Sequence, residues 1–310
     1  MKLATSPGGV YFHRIQDECE KIRMLHQAGF SCLDFSFWAM KPDSPFMTDG
    51  WKAASQQVRA CMDELGMEGV QAHSPMGNPL NKNEADWMLH NTVQSLRCSA
   101  VMGIPHVVVH AGSYNGISRE EFFEANRTFY RKLIPYIEET GVNVLIENIG
   151  IAGQDPYYLI TGRDLREMID LIDHPGFHAL WDVGHGNING LDQYDNIVAL
   201  GEELHGLHIH DNFCRSVEAG NGWLTDAHTF PGTGTVNFDA VMQGLLDIGY
   251  KGCFTFEVDA PSIFPKKPFY KDGEKVDRLS ALSMEIKLDY VRLVYKTGKY
   301  FLEQYGCFEK

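Results

Sequence analysis

The 310-residue sequence is poor in basic residues, with 27 lysines and arginines against 41 aspartates and glutamates and a formal net charge of −14. A protein that holds nucleic acid through its phosphates normally presents a basic face. The acidic balance therefore argues against a general nucleic-acid binder, although it leaves a locally basic groove open. The remaining composition, 44% hydrophobic and 12% aromatic, is typical of a globular protein with a sizeable core.

The sequence also lacks cysteine pairs and long apolar runs. Its seven cysteines are odd in number and show no Cys-x-x-Cys spacing, which argues against a disulfide framework or a structural zinc finger. No run of about 18 apolar residues marks a membrane span, and the first residues lack the apolar stretch of a signal peptide. We predict a cytoplasmic protein with no membrane partner.

Three common catalytic signatures are missing. There is no Gly-x-Ser-x-Gly nucleophile elbow and no Gly-x-x-x-x-Gly-Lys-Ser/Thr phosphate loop. No Gly-x-Gly-x-x-Gly follows an early strand, and the late Gly232-Thr-Gly234 is predicted to form a turn whose amides offer at most a weak anion site. Serine-hydrolase, P-loop and dinucleotide chemistry are therefore disfavoured.

The sequence does contain a regular alternation of short β-rich apolar runs with stretches of helical spacing. The predicted strands span residues 2–5, 31–36, 69–74, 106–110, 143–148, 177–182, 204–210 and 253–258. The predicted helices span residues 16–28, 51–65, 86–102, 119–139, 162–172, 193–200, 238–248 and 279–295.

Eight such units predict a single α/β domain, a (β/α)8 TIM barrel over about residues 1–260. Runs such as Val107-Val-Val and Val144-Leu-Ile show no polar alternation, which is typical of parallel strands that are buried on both faces. A C-terminal loop, helix and tail follow over about residues 261–310. We expect the tail to pack on the outside of the barrel or on another subunit, which leaves a homo-oligomer open.

In such a barrel the chemistry lies at the carboxyl ends of the strands. Metal-ligand residue types occur at or just after most of the predicted ends: His73, His110, Glu147, Asp182, His185, His208, His210, Asp226, His228 and Glu257. A single histidine at such a position is more often a satisfied polar residue than a ligand. Glu147 and Glu257, however, follow strongly apolar strands, where an unpaired carboxylate is costly. A divalent ion with oxygen and nitrogen ligands, such as Mn²⁺, Zn²⁺, Co²⁺, Fe²⁺ or Mg²⁺, would offset that cost.

Six motifs occur in order along the chain: Val109-His110-Ala-Gly-Ser, Ile146-Glu147-Asn, Trp181-Asp182-Val-Gly-His185, Leu207-His208-Ile-His-Asp211, Asp226-Ala-His228 with Pro231-Gly-Thr-Gly-Thr-Val, and Phe256-Glu257. Together they resemble the xylose isomerase-like TIM barrel superfamily over roughly residues 1–260. That superfamily contains sugar and sugar-phosphate isomerases and epimerases, and also the endonuclease IV type abasic-site nucleases.

Resemblance to the ketose 3-epimerases of that superfamily implies one divalent metal. The ligands it implies are Glu147, Asp182, His208 and Glu257, and the two glutamates would also form the acid/base pair. His185 would contact substrate oxygens. An arginine of those epimerases has its nearest counterpart in Arg215, displaced by one residue, and their Gly-Glu is replaced here by His210-Asp211.

Resemblance to the abasic-site nucleases implies instead a cluster of up to three metals. Its ligand positions have counterparts in His73, His110, Glu147, Asp182, His185, His208, Asp226, His228 and Glu257. A nuclease must also hold DNA with basic loops, yet the loops after the second, third and sixth predicted strands contain only Lys41 and Lys82.

Aromatic residues occupy those loops instead, and Trp38 and Trp223, together with Phe37, are predicted either to wall a pocket for a sugar-like substrate or simply to pack between loops. The leading hypothesis is a metal-dependent isomerase or epimerase of a sugar or similar small polyhydroxy carbonyl compound. The alternatives are a multi-metal phosphodiester hydrolase and a barrel that has lost catalysis and serves only as a binding module.

Overall fold

A computed structural model describes residues 1–7, 17–38, 40–150, 155–213, 226–258, 269–276 and 282–309. In that part of the chain, eight parallel strands form one sheet in the order β7-β6-β5-β4-β3-β2-β1-β8. The strands are β1 (Leu3–Thr5), β2 (Cys32–Ser36), β3 (Glu68–His73), β4 (His106–Val108), β5 (Asn143–Glu147), β6 (Phe177–Asp182), β7 (Leu204–His208) and β8 (Phe254–Phe256).

The sheet closes between β7 and β8 at Ile209, the residue that follows β7. Ile209 forms a parallel bridge with Phe256. Its N–H donates to the carbonyl of Thr255 at 2.8 Å, and its own carbonyl accepts from the N–H of Glu257 at 3.1 Å. Because the two edge strands meet in this way, the sheet is a barrel, and the predicted TIM-barrel fold is confirmed.

Helices follow most strands. They are α1 (Glu18–Ala28), α2 (Trp51–Leu65), α3 (Ala85–Met102), α4 (Arg119–Arg131), α5 (Ile134–Thr140), α6 (Gly162–Ile172), α7 (Val183–Ile188), α8 (Gln193–Leu200), α9 (Phe238–Asp247) and the C-terminal α10 (Met284–Gln304). Local signals set many of their ends. For example, Ser118 and Glu121 form a capping box at the start of α4, and Gly29 ends α1 in the left-handed region.

Three elements differ from the predicted pattern. The predicted helix 119–139 is divided into α4 and α5, because Pro135 has no N–H to continue the helical hydrogen bonds. The C-terminal helix begins at Met284 rather than at 279, where the Ser283 side chain accepts the N–H of Ile286. An antiparallel hairpin of β9 (Phe269–Lys271) and β10 (Glu274–Val276) precedes it, and all six of its strand residues are exposed.

Alternate side chains of the strands lie on opposite sides of the barrel wall. Those on the outer side join the large core beneath the helices, which includes Val107 and Trp181. A separate small apolar group fills part of the barrel interior: Val108, Leu145 and Leu180. No helix in the described ranges is long and apolar enough to cross a membrane.

Candidate metal centre

The polar layer of the centre continues the inner face of the strands. Two positions beyond the inner apolar residues of β4, β5 and β6 come His110, Glu147 and Asp182. Side chains two residues apart on a strand share a face. The apolar interior therefore gives way directly to ligand-type side chains at the carboxyl end of the barrel.

Four side chains converge at the ends of β5 to β8: Glu147, Asp182, His208 and Glu257, here called the Glu257 group. Their ligand atoms lie within 4.8 Å of one another. His208 Nδ1 lies 2.8 Å from Glu147 Oε1 and 3.3 Å from Glu257 Oε2. Three of the side chains are buried, whereas that of Glu257 is 29% exposed. The group is thus shielded from solvent except at Glu257, where it is accessible.

A second cluster, the His73 group, consists of His73, His110 and Glu147. His110 Nε2 lies 2.7 Å from Glu147 Oε2, and His73 Nε2 lies 3.6 Å from the same oxygen. The other oxygen of Glu147 faces His208. Glu147 therefore belongs to both groups, with one carboxylate oxygen directed to each.

A third cluster, the Asp226 group, consists of His185, His210, Asp226 and His228. Asp226 Oδ2 lies 3.3 Å from His185 Nε2 and 3.1 Å from His228 Nε2. His228 has a φ of 40°, a strained backbone for a residue with a side chain, and such strain often accompanies functional sites. The ring of His210 stacks on that of His228 at 3.8 Å.

His210 was missing from the ligands implied by resemblance. Its Nε2 lies 3.0 Å from Asp182 Oδ1, so it connects the Asp226 group to the Glu257 group. The available signal was its position two residues after His208, which puts both on the same side of the chain. Gly184 leaves the space for it, because a Cβ at position 184 would lie 1.9 Å from His210 Cε1.

We expect Gly184→Ala to lower the free energy of unfolding by about 1–3 kcal/mol, because the new methyl group overpacks the site of the His210 ring. In a His210→Ala background the same change should cost much less, since the ring is gone. Urea titrations of the four proteins measure the coupling. Gly50→Ala is the control, because its Cβ would come no closer than 3.6 Å to other atoms, and strictly additive effects at 184 and 210 would contradict the packing argument.

The carboxylates of the three groups form ion pairs with histidines within the described residues. Burial alone would lower the pKa of His208, but the charges of Glu257 and Glu147 raise it well above its usual value. Burial would likewise raise the pKa of Glu147, yet His208 and His110 hold it well below its usual range. Burial also opposes the charged form of His185, but the carboxylates of Asp182 and Asp226 raise its pKa to about 10.

The residues present fit a divalent ion. Neighbouring imidazoles lower the pKa values of Glu147, Asp182 and Asp226 and so keep these carboxylates ionised. The imidazole protons occupy positions that a cation could take. Several buried polar atoms at the centre make no hydrogen bond within the described residues: Asp34 Oδ1, His208 Nε2, His210 Nδ1 and Asp226 Oδ1. Buried polar atoms are nearly always satisfied in folded proteins. Oxygen and nitrogen donors without sulfur match ions such as Mn²⁺, Zn²⁺ or Co²⁺.

Of the three aromatic residues predicted to wall a pocket, the structure describes Trp38 and Phe37. Trp38 is 46% exposed, whereas Phe37 is fully buried and packs edge-to-face on Phe35 at 4.9 Å. Phe37 therefore belongs to the core and does not line a pocket. Arg215 and Trp223 lie outside the described residues.

The turn at Gly232 has its amides occupied by the chain itself. The buried carboxylate of Asp211 accepts the N–H groups of Gly232, Gly234 and Val236 at 2.8–3.0 Å. Asp211 thus has a structural role in holding the turn that leads into α9, and those amides are not available to a ligand.

Three histidines lie at the opposite end of the barrel, near the amino ends of β4, β6 and β7. The rings of His178 and His205 stack at 3.6 Å, and His106 meets His205 edge-on at 5.6 Å. His106 Nδ1 is buried and makes no hydrogen bond within the described ranges. Burial and the neighbouring His205 and His178 lower the pKa of His106 from 6.5 to about 4.

We expect this histidine cluster to weaken the fold in mild acid. The unfolded chain protonates His106 below its ordinary pKa of about 6.5, whereas the folded chain resists protonation until about pH 4. Between pH 7.5 and pH 5, with chelator present, the free energy of unfolding should therefore fall by about 2 kcal/mol more in the wild type than in His106→Asn. The surface variant His90→Asn should follow the wild type. Equal acid losses in wild type and His106→Asn would show that His106 does not destabilise the fold in acid.

A family model described as xylose isomerase-like TIM barrel matches residues 22–305. An uncharacterised protein of Methanocaldococcus jannaschii is 28% identical over 206 residues, covering 61% of this chain and 64%, just under two thirds, of that protein. A 2-oxo-tetronate isomerase of Haemophilus influenzae is 24% identical over 211 residues, covering 64% of this chain and 75% of the relative. A probable endonuclease 4 of Acholeplasma laidlawii is 23% identical over 252 residues, covering 76% and 82%.

Solved structures share the fold. D-psicose 3-epimerase from Clostridium cellulolyticum H10, crystallised with D-tagatose, has a TM-score of 0.73 at 16% identity and covers 97% of this chain and 99% of its own. The IOLI protein with a zinc atom bound has a TM-score of 0.75 at 15% identity, covering 98% and 99%. The eight-stranded barrel and the family match over most of the sequence together show that this chain belongs to the xylose isomerase-like TIM barrel family.

Proposed function

We propose that this chain is a divalent-metal-dependent isomerase or epimerase of a sugar or a similar small polyhydroxy carbonyl compound. The observation that carries the proposal is the Glu257 group, in which two glutamates, an aspartate and a histidine converge within 4.8 Å at the end of the barrel. Relatives that are isomerases and epimerases of such compounds support the same class.

Glu147, Asp182, His208 and Glu257 would hold the metal. When bound, a divalent ion polarises a substrate carbonyl or hydroxyl and so makes the neighbouring C–H proton easier to remove. The metal need not be the only cation in the barrel, because the His73 group and the Asp226 group offer further ligands.

The two glutamates are placed for different parts of the proton transfer. Both oxygens of Glu147 already accept from histidines, at 2.8 Å from His208 and 2.7 Å from His110, and the side chain is buried. Glu257 is the more exposed of the pair. We therefore assign Glu257 as the base that takes the proton from the substrate carbon, with Glu147 as the second carboxylate of the acid/base pair.

Substrate contacts are assigned to side chains around this pair. The ring of His185 is fixed by the carbonyl of Asn148, 2.9 Å from its Nδ1, and its Nε2 faces Asp226. The indole of Trp38 offers an exposed apolar face of the kind that packs on a sugar. Arg215 and Trp223 remain predicted substrate contacts from the sequence.

The test is a solvent-exchange assay with the full chain. Chelator-stripped protein reloaded with Mn²⁺ is incubated in deuterated water with a panel of ketoses and 2-oxo sugar acids. We expect one class to exchange its proton next to the carbonyl, as seen by NMR, and chelator to stop the exchange. Failure of every panel member to exchange or isomerise, with metal bound, would contradict the proposed function.

A multi-metal phosphodiester hydrolase is the second candidate, favoured by one observation. The three ligand groups are contiguous, with Glu147 shared by two of them and His210 bridging to the third. Adjacent divalent ions can activate a hydroxide and neutralise a phosphodiester. Against it stands the small number of basic residues in the predicted mouth loops, where DNA backbone contacts would be needed.

Incision of an abasic duplex separates the two candidates. We expect no incision by the metal-loaded chain, and a metal content near one ion per chain in protein purified without chelator. Metal-dependent incision together with about three ions per chain would favour the hydrolase.

A further inference from the structure

Asp34 is a buried carboxylate in the middle of β2 that the sequence motifs do not explain. It is 2% exposed and lies between apolar residues of that strand. Its Oδ2 accepts from Gln71 Nε2 at 3.2 Å, while its Oδ1 makes no hydrogen bond within the described residues. An ionised carboxylate is costly to bury without a cationic or hydrogen-bonding partner. Its retention here therefore calls for a specific partner.

Local features of the barrel hold Asp34 in place. The register between β2 and β3 shifts between Leu33 and Asp34, which pairs Asp34 with Gln71. Such irregularities re-aim a side chain and are frequent beside active sites. Gly206 leaves room for the amide of Gln71, because a Cβ at position 206 would lie 3.0 Å from Gln71 Oε1. The carboxylate is thus supported by Gln71 of the neighbouring strand β3, and Gly206 of β7 leaves the space that Gln71 occupies.

The partner that Asp34 faces is His208. Asp34 Oδ2 lies 3.5 Å from His208 Nε2, a buried nitrogen that makes no hydrogen bond within the described ranges. The opposite ring nitrogen, Nδ1, is the one that faces Glu147 and Glu257. His208 therefore separates Asp34 on one side from the Glu257 group on the other.

A ring nitrogen that binds a metal carries no proton, so the single proton of a neutral imidazole must lie on the other nitrogen. Metal-binding histidines usually donate that N–H to a carboxylate or carbonyl, which fixes the ring and strengthens the ligand. Asp34 itself belongs to none of the three ligand groups found in the described residues. Its position fits a hydrogen-bond acceptor for a ligand rather than a ligand.

We propose that Asp34 is a positioning residue that accepts the Nε2–H of His208 and thereby holds the Nδ1 lone pair toward Glu147, Asp182 and Glu257. The proposal rests on the metal-dependent function proposed above and adds a residue to it. Gln71 is the support that keeps the Asp34 carboxylate in reach of the ring.

Metal affinity measured without any substrate tests the proposal. For Asp34→Ala we expect the Kd of Mn²⁺ or Zn²⁺, from competition with a chelating dye, to rise 10-fold to 100-fold. The melting temperature in excess chelator is measured in parallel, because the variant also leaves the Gln71 amide without its carboxylate acceptor. Asp34→Asn keeps an acceptor oxygen without the charge, so its Kd should lie between those of the wild type and Asp34→Ala.

A purely structural role makes a different prediction for the Kd. It would lower the melting temperature in chelator and leave the Kd unchanged, and a Kd within threefold of wild type in Asp34→Ala would overturn the proposal. Asp211→Asn provides the contrast, since Asp211 is equally buried, but within the described part of the chain its carboxylate accepts from backbone N–H groups alone, those of Asn212, Gly232, Gly234 and Val236. It should lower the melting temperature with little change in metal Kd.

A second measurement needs no variant. In protein labelled with ¹⁵N-histidine and loaded with Zn²⁺, His208 should show a protonated Nε2 and a metal-bound Nδ1. A proton on Nδ1, or zinc on Nε2, would overturn the proposal even if the Asp34 variants fail to fold. Wild-type protein that binds metal but isomerises no sugar would contradict only the proposed function, whereas wild-type protein that binds no divalent metal would contradict both.

Discussion

Replacing Glu257 by glutamine is expected to lower kcat for proton exchange by about 10³-fold or more while the protein stays folded. General-base catalysis by a positioned carboxylate contributes roughly 10²-fold to 10⁴-fold, and an amide cannot accept the proton. Glu257 is the member of the glutamate pair that is open to substrate, with 29% of its side chain exposed. Deuterium incorporation into the substrate, followed by NMR, measures the loss directly.

The matched control for this variant is Glu68→Gln. Glu68 is a solvent-exposed glutamate at the start of β3, the amino end of that strand, where it pairs with Lys2. It should keep wild-type exchange. Melting temperatures and metal content of both variants are measured in parallel, so that a loss of fold is not read as a loss of chemistry. Wild-type exchange in folded, metal-loaded Glu257→Gln would mean that another residue is the base.

Glu147→Gln is expected to remove most metal binding. Its two oxygens face different ligand groups, with His208 on one side and His110 on the other. A bound ion whose free concentration is about 1,000 times its Kd stabilises the folded state by about 4 kcal/mol. For a protein of this size, that corresponds to a rise in melting temperature of roughly 10 °C. The wild type should show such a metal-induced rise, and the variant should show little of it.

Differential scanning calorimetry with and without Mn²⁺ measures that difference. Glu139→Gln removes only a surface pair with Arg97, so it should keep the full metal-induced rise. A full rise in Glu147→Gln would show that the metal lies elsewhere. Glu147 belongs to both the His73 group and the Glu257 group. If Glu147→Gln loses metal from the Glu257 group but keeps metal at the His73 group, the two groups are independent sites and not a bridged cluster.

The fold was predictable from the sequence because its strands are buried on both faces. Continuous apolar runs such as Val107-Val-Val and the regular βα spacing are sufficient to predict the parallel barrel. The division of the predicted helix 119–139 was also readable in principle, since Pro135 cannot continue a helix. The later start of α10 depends on the Ser283 cap, which competes with other local signals.

The part of the site that lies at the carboxyl ends of the strands was predictable from the sequence. Carboxylates that directly follow apolar strands, such as Glu147, stand out because burial makes them costly. Asp34 was missed, and His210 was named without its contact to Asp182, because both roles depend on what lies across the barrel. Asp34 meets His208 from a strand far away along the sheet, and His210 meets Asp182 only because Gly184 leaves space for it. Distances between strands of this kind are not visible in the order of residues.

Phe37 shows the same limit, because the sequence suggested a role for it in the site and the structure places it in the core. In the sequence it adjoins Trp38 and suggests a pocket wall, but the chain turns at Trp38, beyond the end of β2, and the two rings have different surroundings. Phe37 packs with Phe35 and Phe46 in the core, whereas Trp38 is exposed. An aromatic residue in a loop is therefore informative about substrate binding only when the direction of its side chain is known.

The most direct test of the metal centre is a crystal structure of the Mn²⁺-loaded protein with anomalous data collected near the manganese edge. We predict an anomalous peak bonded to Glu147, Asp182, Glu257 and the Nδ1 atom of His208. Manganese absent from these four side chains, in crystals whose protein binds Mn²⁺ in solution, would contradict the central claim.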